Sequence, residues 1–411
     1  MPDPGPAPPA PELKRGLNLA LLTLYGLGTT IGAGIYVLVG EVAAVAGALA
    51  PASFLIAACL AATTGLSFGE LGARYPKSAG EAVYVDAGFG LAWLAALVGL
   101  MVAGAGVISS AAIANGFVGY ARQFVDAPPW ALMSAMVAAL AAAAVWGIVE
   151  SVLMAALVTV IEIAGLVLVV VVGLASIDVG EAAAAAAAGL DASLVPGAFA
   201  GAVLAFYAFL GFEDMVNVAE EVQAPERTLP RAIVLTLAVT GVLYVAVAVA
   251  AVLVVPRADL AGAEAPLALV WQHATGREPA LISAIGALAV VNGALIQIIM
   301  AARVVYGLAS QGWLPAVLGR VQPRTRTPAL ATLVVASLVL ALALALPLVR
   351  LAEATAFVIL IVFALVNLAL LRVKRRAPLP PGARAVPRAV PAAGFAVSAG
   401  VALFQAWRYV A

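Results

Sequence analysis

Apolar residues run along this chain in long blocks, interrupted at intervals by Pro, Gly and clusters of charge. The blocks fall at 17–47, 51–73, 84–116, 129–148, 151–176, 195–222, 229–255, 279–309, 328–346, 349–372 and 390–410. Roughly 20 apolar residues carry a helix across a ~30 Å hydrocarbon core, so the pattern predicts an all-α polytopic membrane protein of about eleven transmembrane helices. The 84–116 and 279–309 blocks exceed a straight span and predict helices that tilt or project past the bilayer. Ahead of the first block, "MPDPGPAPPAPELKRG" (1–16) is proline-rich and lacks a short apolar core followed by a cleavage site. It predicts a disordered tail rather than a signal sequence.

The first block is interrupted where a membrane helix should be strongest. "YGLGTTIGAGIYVLVG" (25–40) carries Gly26, Gly28, Gly32, Gly34 and Gly40 with the paired threonines Thr29 and Thr30. Gly28-Thr-Thr-Ile-Gly32 is a small-xxx-small pattern that lets two membrane helices approach closely. Packing and a break in the backbone are therefore both open readings of the stretch taken alone.

The sixth block repeats the interruption. "AFYAFLGFEDMVNVAEEV" (205–222) places Gly211 in the middle of the run, with Glu213 and Asp214 directly behind it. Acidic groups at membrane depth face a cavity or a path for ions or substrate, unless they lie close enough to the surface to reach water. The two interrupted blocks hold matching positions if helices 1–5 (17–176) and 6–10 (195–372) form two repeats, with 373–411 left as a basic loop and an extra helix. An odd helix count within each repeat inverts one half relative to the other. Paired, Gly-interrupted helices point to a transporter's midplane site. Unwinding near Thr30–Gly34 frees amide N–H groups at the start of the following half-helix, where the dipole favours a carboxylate. Unwinding near Tyr207–Gly211 frees carbonyls that can accept from an ammonium group. The predicted break lies at Thr30–Gly34, and Gly26, Gly28 and Gly40 suit packing.

Composition agrees with a bilayer protein. Of 411 residues 65% are apolar and 10% charged, with a mean hydropathy of +1.12, against about 25% charged in soluble domains. The formal net charge is zero, which gives no basic surface for nucleic acid. The lone cysteine, Cys59, excludes an internal disulfide or a cysteine-based metal cluster, and one histidine, His273, leaves little for histidine chemistry. With the N-terminus cytoplasmic, only Arg122, Arg257, Arg277, Arg350 and Arg408 of the 21 lysines and arginines fall outside. The bias predicts a multi-pass protein of the cytoplasmic (inner) membrane with its N-terminus inside. An odd span count then places the C-terminus outside. The external loop 176–197 has the composition of a short interfacial helix.

Four stretches resemble the amino acid–polyamine–organocation superfamily of permeases. "GLGTTIGAGIYVLVG" is similar to its first-helix signature, and "SFGELGARYPKSAGEAVYV" (67–85) to its second helix and inner loop. "FYAFLGFEDMVNVAEEVQAPERTLPRAI" (206–233) is similar to its sixth-helix motif and Pro turn, and "AARVVYGLASQGWLP" (301–315) to its eighth-helix exit. The resemblance implies the five-plus-five inverted-repeat transporter fold, with helices 1 and 6 interrupted, and amino acid exchange or proton-driven import. Carried over by position, it implies carboxylate donors at Ile31, Gly32, Ala33 and Gly34 and ammonium acceptors at the carbonyls of Thr30, Tyr207, Ala208 and Leu210. The ring of Tyr207 or Phe209 would close over the substrate, beside the break at Gly211. Phe206 and Phe212 suit packing.

Glu162 stands in the apolar middle of the fifth block. Desolvation there favours a neutral carboxyl unless a cation is near, so the group can load and release a proton, or simply bond to a neighbouring helix. The resemblance implies a lysine here in many relatives; Glu162 departs from that pattern but keeps a titratable group. Glu213 is the second candidate for proton coupling. Within the eighth block the stretch "AIGALAVVNGALIQIIMAARVVYG" (284–307) contains no Ser or Thr, which disfavours the oxygen-rich site that sodium needs. Asn292 and Gln297 there suit bonds between helices, and Asn292 is also a candidate to touch substrate. Glu150 suits the start of its helix. Glu220, Glu221, Glu226, Arg227 and Arg231 suit a structural latch, and the run Arg372-Val-Lys-Arg-Arg376 an orientation signal with contact to anionic lipid.

The leading function is secondary transport of amino acids, neutral or cationic rather than acidic, since no basic residue lies within the proposed pocket. Proton symport is the first driving force to test, and amine or amino acid exchange the alternative. A non-transporting receptor of the same fold is a further reading. The expected partners are an amino acid, protons and lipid. No enzyme activity, cofactor or bound metal is expected.

Overall fold

The computed structural model describes residues 13, 15–31, 33–121, 125–146, 148–178, 180, 194–261, 263, 265–346 and 348–410. The tail 1–16, the loop 176–197 expected to be external and Gly32 lie wholly or in part outside the described residues. The described chain is all-helical, and its extended pairing is limited to a parallel bridge between Leu17 and Val222.

The first block is two helices, α1 (Leu19–Thr30) and α2 (Ala33–Ala46). Asn18 caps α1 by accepting from the Leu21 N–H at 3.0 Å, which satisfies one donor that a helix start leaves free. A short 3₁₀ turn leads into α3 (Ala50–Arg74), followed by α4 (Gly80–Phe89) and α5 (Ala92–Ala121). The block that reads as one helix over 84–116 is thus α4 and α5. Gly90 adopts φ +69° and caps α4, its N–H donating to Asp86 O at 2.7 Å; a glycine ends a helix in that conformation with little strain. α6 (Pro129–Trp146) and α7 (Ile148–Ala175) complete the first half. The side chain of Glu150 lies outside the described residues.

In the second half the sixth block again divides, into α8 (Val195–Tyr207) and a 3₁₀ segment (Phe212–Glu221). Next come α9 (Pro225–Val254), two short helices α10 (Arg257–Leu260) and α11 (Pro266–Thr275), α12 (Ala280–Ser310), α13 (Ala329–Ala345), α14 (Leu348–Arg376) and α15 (Ala389–Val410). α10 and α11 escape an apolar-block reading because each is short; Pro256 precedes α10 and Pro266 opens α11. Among the described residues nine stretches are long and apolar enough to cross a membrane, and Ala329–Ala345 and Ala389–Phe404 are shorter apolar helices. Together they match the expected eleven. Leu157, Val242 and Leu403 are more than 60% exposed, as befits side chains whose surroundings are hydrocarbon.

One polar clamp holds the end of the protein at which α1 begins. Glu70 on α3 is buried; its Oε1 accepts from Arg74 Nε (2.9 Å) and Nη2 (2.7 Å), and its Oε2 from Lys374 Nζ (2.5 Å) and the Val386 N–H (2.8 Å). Four donors on one carboxylate offset the burial of its charge and tie α3 to α14 and the 377–386 loop. Lys374, part of an orientation signal in the sequence, is also a structural ligand of Glu70.

α1 packs against α7, α9 and α12, while α8 packs against α2 and α3. The two interrupted blocks therefore run side by side through the interior.

Candidate functional site

The last turn of α1 is loosened by its own threonines. Thr29 and Thr30 hydroxyls both donate to the Gly26 carbonyl at 2.8 Å, the back-bonding that competes with the helix ladder. The Ile31 N–H donates to Leu27 O at 2.7 Å, and the next described residue, Ala33, already begins α2. Ala33 and Gly34 thus stand in the first turn of a helix, where amide donors have no intrahelical acceptor.

In the sixth block α8 stops at Tyr207. The Ala208, Phe209 and Leu210 N–H groups then donate in tight turns to Ala205, Phe206 and Tyr207 carbonyls at 3.0, 3.0 and 3.2 Å. Gly211 follows with φ +118°, a conformation barred to side chains in practice, and its N–H donates to Glu213 Oε2 at 2.8 Å. Glu213 is thus a ligand of its own turn.

The two breaks touch. A Cβ on Gly34 would lie 3.0 Å from Ala208 Cα, and a Cβ on Gly211 would lie 2.7 Å from the Thr29 carbonyl oxygen. Glycine is required at 211, and at 34 a side chain would force Ala208 to give way. By contrast, Gly26 faces Met215 and Gly40 faces the Leu260 carbonyl, so these glycines serve packing.

Tyr244 on α9 joins the breaks. Its hydroxyl lies 2.6 Å from Thr30 O and 3.1 Å from Ala208 O, and shares its one proton between these carbonyls. Phe209 packs on its ring at 5.1 Å between centroids, and Phe54 packs edge-on at 5.8 Å. Sequence reasoning misses Tyr244; its only signal is a phenol inside an apolar run, which must find a buried acceptor. Removing the hydroxyl in Tyr244→Phe leaves the two carbonyls without this donor and is expected to lower stability by about 1–2 kcal/mol. Thermal unfolding of the purified protein checks it.

Glu162 sits behind α1, fully buried. Asn292 Nδ2 donates to its Oε1 at 3.0 Å and contacts Thr159 Oγ1 at 3.1 Å, while the Tyr36 hydroxyl donates to its backbone carbonyl at 3.3 Å. A Cβ on Gly28 would meet Thr159 Oγ1 at 2.4 Å and Asn292 Nδ2 at 3.1 Å, so this group abuts the helix that breaks two residues later. Glu162 Oε2 and Asn292 Oδ1 have no hydrogen-bond partner. Asn292 therefore bonds α12 to α7, as one of its two readings holds.

Asp214 accepts from Gln297 Nε2, and Phe212 packs against Phe68 and Phe363 at 5.9 and 5.5 Å. Glu221 forms a fully buried ion pair with Arg303, whose Nε and Nη2 reach its two oxygens at 3.2 and 3.3 Å. Glu221 thus belongs to a latch, while Arg227 and Arg231 are exposed. A count of orienting charges hides this role of Arg303, because its partner lies far away in sequence. A shallow cleft lined by Tyr36, Leu267, Ile282 and Gly286 lies beyond α2.

A family model described as amino acid permease matches residues 17–409. The chain is 30% identical over 386 residues to the vacuolar cationic amino acid transporter 4 of Arabidopsis thaliana, covering 88% of this chain and 63% of that protein. It is 29% identical over 414 residues to the branched-chain amino acid permease of Bacillus subtilis, covering 95% of this chain and 86% of that protein. An uncharacterized transporter of Mycobacterium tuberculosis is 33% identical over 361 residues, with 87% of this chain and 80% of that protein covered.

Proposed function

This chain belongs to the amino acid permease family of the amino acid–polyamine–organocation superfamily, and from that premise we propose that it carries amino acids across a membrane by alternating access. The observation that carries the reading is the backbone contact of Gly34 with Ala208 and of Gly211 with Thr29. In this reading 17–176 and 195–372 are the two inverted repeats and their breaks form the substrate site. The α-carboxylate sits on the amides of Ile31, Gly32, Ala33 and Gly34 at the start of α2, where the dipole is positive. The α-ammonium takes the carbonyls of Thr30, Tyr207, Ala208 and Leu210, with Tyr207 or Phe209 closing over it and Gly211 allowing the turn. Exposed backbone of this kind is tolerated in a bilayer only where it lines a cavity or protein.

A neutral or cationic side chain suits the site, because the nearby cation Arg303 is already held by Glu221. The names of the plant and Bacillus relatives, cationic and branched-chain, fall in those classes. Glu162 carries the coupling proton, its free Oε2 beside the α1 break, and Glu213 is the second such group. The end bearing Glu70, Arg74 and Lys374 faces the cytoplasm, with the protein in the cytoplasmic membrane.

Proteoliposome uptake of a labelled amino acid panel, with the outside acidic, tests the coupling. Wild type accumulates substrate above equilibrium, whereas Glu162→Gln equilibrates substrate without accumulating it. Gradient-driven accumulation that survives in E162Q removes Glu162 from the proton path. Counterflow without response to pH identifies exchange instead.

A further inference from the structure

Glu81 is a buried carboxylate that the transport reading does not use. It is the second residue of α4 and 1% exposed. A reciprocal pair docks this helix start on the 3₁₀ segment: the Gly80 N–H donates to Asn217 Oδ1, and Asn217 Nδ2 donates to Glu81 Oε1, each at 3.1 Å. The docked carboxyl is half satisfied. Its Oε2 has no hydrogen-bond partner, and neither has the hydroxyl of Tyr84, fully buried one turn along the same helix. That hydroxyl lies 2.9 Å from where a Gly80 side chain would begin, over the first turn of α4.

The groups around Glu81 are acidic or already engaged. The 3₁₀ segment presents Glu213 and Asp214, both within electrostatic reach. α5 carries no charged residue. On α3, Arg74 is held by Glu70. On α12, Arg303 is held by Glu221, and Lys77 in the turn before α4 lies 4.0 Å from Glu220. On α14, Arg372 covers the Phe89 ring and Arg376 reaches Gly88 O, both at the far end of α4. Burial above all, with Glu213 adding to it, pushes the Glu81 carboxyl up to about 8. Neutral hydrogen bonds from its own backbone N–H and from Asn217 do not offset burial beside two acidic neighbours.

We propose that Glu81 is a proton-binding site that latches this end of the protein shut: the neutral acid docks α4 on the Phe212–Glu221 segment, and loss of the proton releases it to water. The bound proton removes the charge from a carboxyl whose second oxygen has no donor to offset it. The docked form then holds more protons than the released form between an ordinary glutamate value of about 4.3 and the docked one. Docking is strongest below that window and weakens as pH rises through it, by up to about tenfold in the opening equilibrium per pH unit.

Hydrogen–deuterium exchange of the full chain in lipid nanodiscs from pH 5 to 9, corrected for intrinsic rates, reads this directly and needs no transport. Peptides covering 77–90 and 212–221 in wild type lose protection as pH approaches 8. Glu81→Gln keeps the acceptor for Asn217 without the charge and is expected to hold acid-level protection across the range. Glu81→Met, of similar size and uncharged, also flattens the profile and serves if E81Q folds poorly. A wild-type profile that does not change with pH overturns the proposal. So does a variant that keeps the wild-type dependence, which would assign the titration to Glu213 or Asp214.

Discussion

Gly211→Ala weakens amino acid binding by roughly 30- to 1,000-fold, the equivalent of about 2–4 kcal/mol. Two costs combine at this position. The backbone stands at φ +118°, where a Cβ strains the chain by about 1–3 kcal/mol. The added methyl would also lie 2.7 Å from the Thr29 carbonyl oxygen and 2.8 Å from its carbon, and such overpacking costs typically ~1–3 kcal/mol. The obstacle is backbone on both sides, so relief requires the breaks to separate, and with them the carbonyls of Thr30 and Ala208. Gly90→Ala is the control. Gly90 also has positive φ, but nothing lies within 4 Å of where a side chain would begin, so that variant loses some stability and keeps its affinity. Equilibrium binding of a labelled substrate to both variants separates general strain from damage to the site; wild-type affinity in G211A would contradict the proposed contact.

Arg303→Met lowers stability by about 3–5 kcal/mol, because it strands the Glu221 charge in the interior. Both side chains of the pair are fully buried, and the contact is bidentate. It fixes the end of the 3₁₀ segment to α12, and the adjacent Glu221 carbonyl also accepts from the Leu17 N–H at 3.0 Å, so the segment is held from two directions. Replacing both partners, as in Glu221→Leu with Arg303→Met, removes the stranded charge and is expected to recover most of the loss. Denaturation midpoints of the single and double variants measure the coupling. A single variant as stable as wild type would show that the pair contributes nothing.

The two breaks are legible in sequence because glycine in a helix interior costs about 1 kcal/mol against alanine, and such weakness in matching helices needs a reason. Their locations, near Thr30–Gly34 and Tyr207–Gly211, agree with the structure wherever residues are described. What joins them is not legible. Tyr244 looks like any aromatic residue in an apolar run, and its acceptors lie 214 and 36 residues away in sequence. Arg303 and Lys374 read as orienting charges, since a charge count holds no information about distant partners. The division of α4 from α5 depends on the conformation of Gly90, which composition does not reveal. Glu162 is visible as a charge in hydrocarbon, but its Asn292 partner can be placed only once α7 and α12 are side by side.

Competition for uptake in proteoliposomes tests most directly whether backbone at the two breaks recognises an amino acid. The competitors are a transported amino acid, its decarboxylated amine and its N-acetyl derivative, each sharing the same side chain. The site predicts that only the intact amino acid competes, since the amine cannot engage the start of α2 and the acetylated form cannot engage the Thr30 and Ala208 carbonyls as an ammonium. Equal competition by either analogue would contradict it.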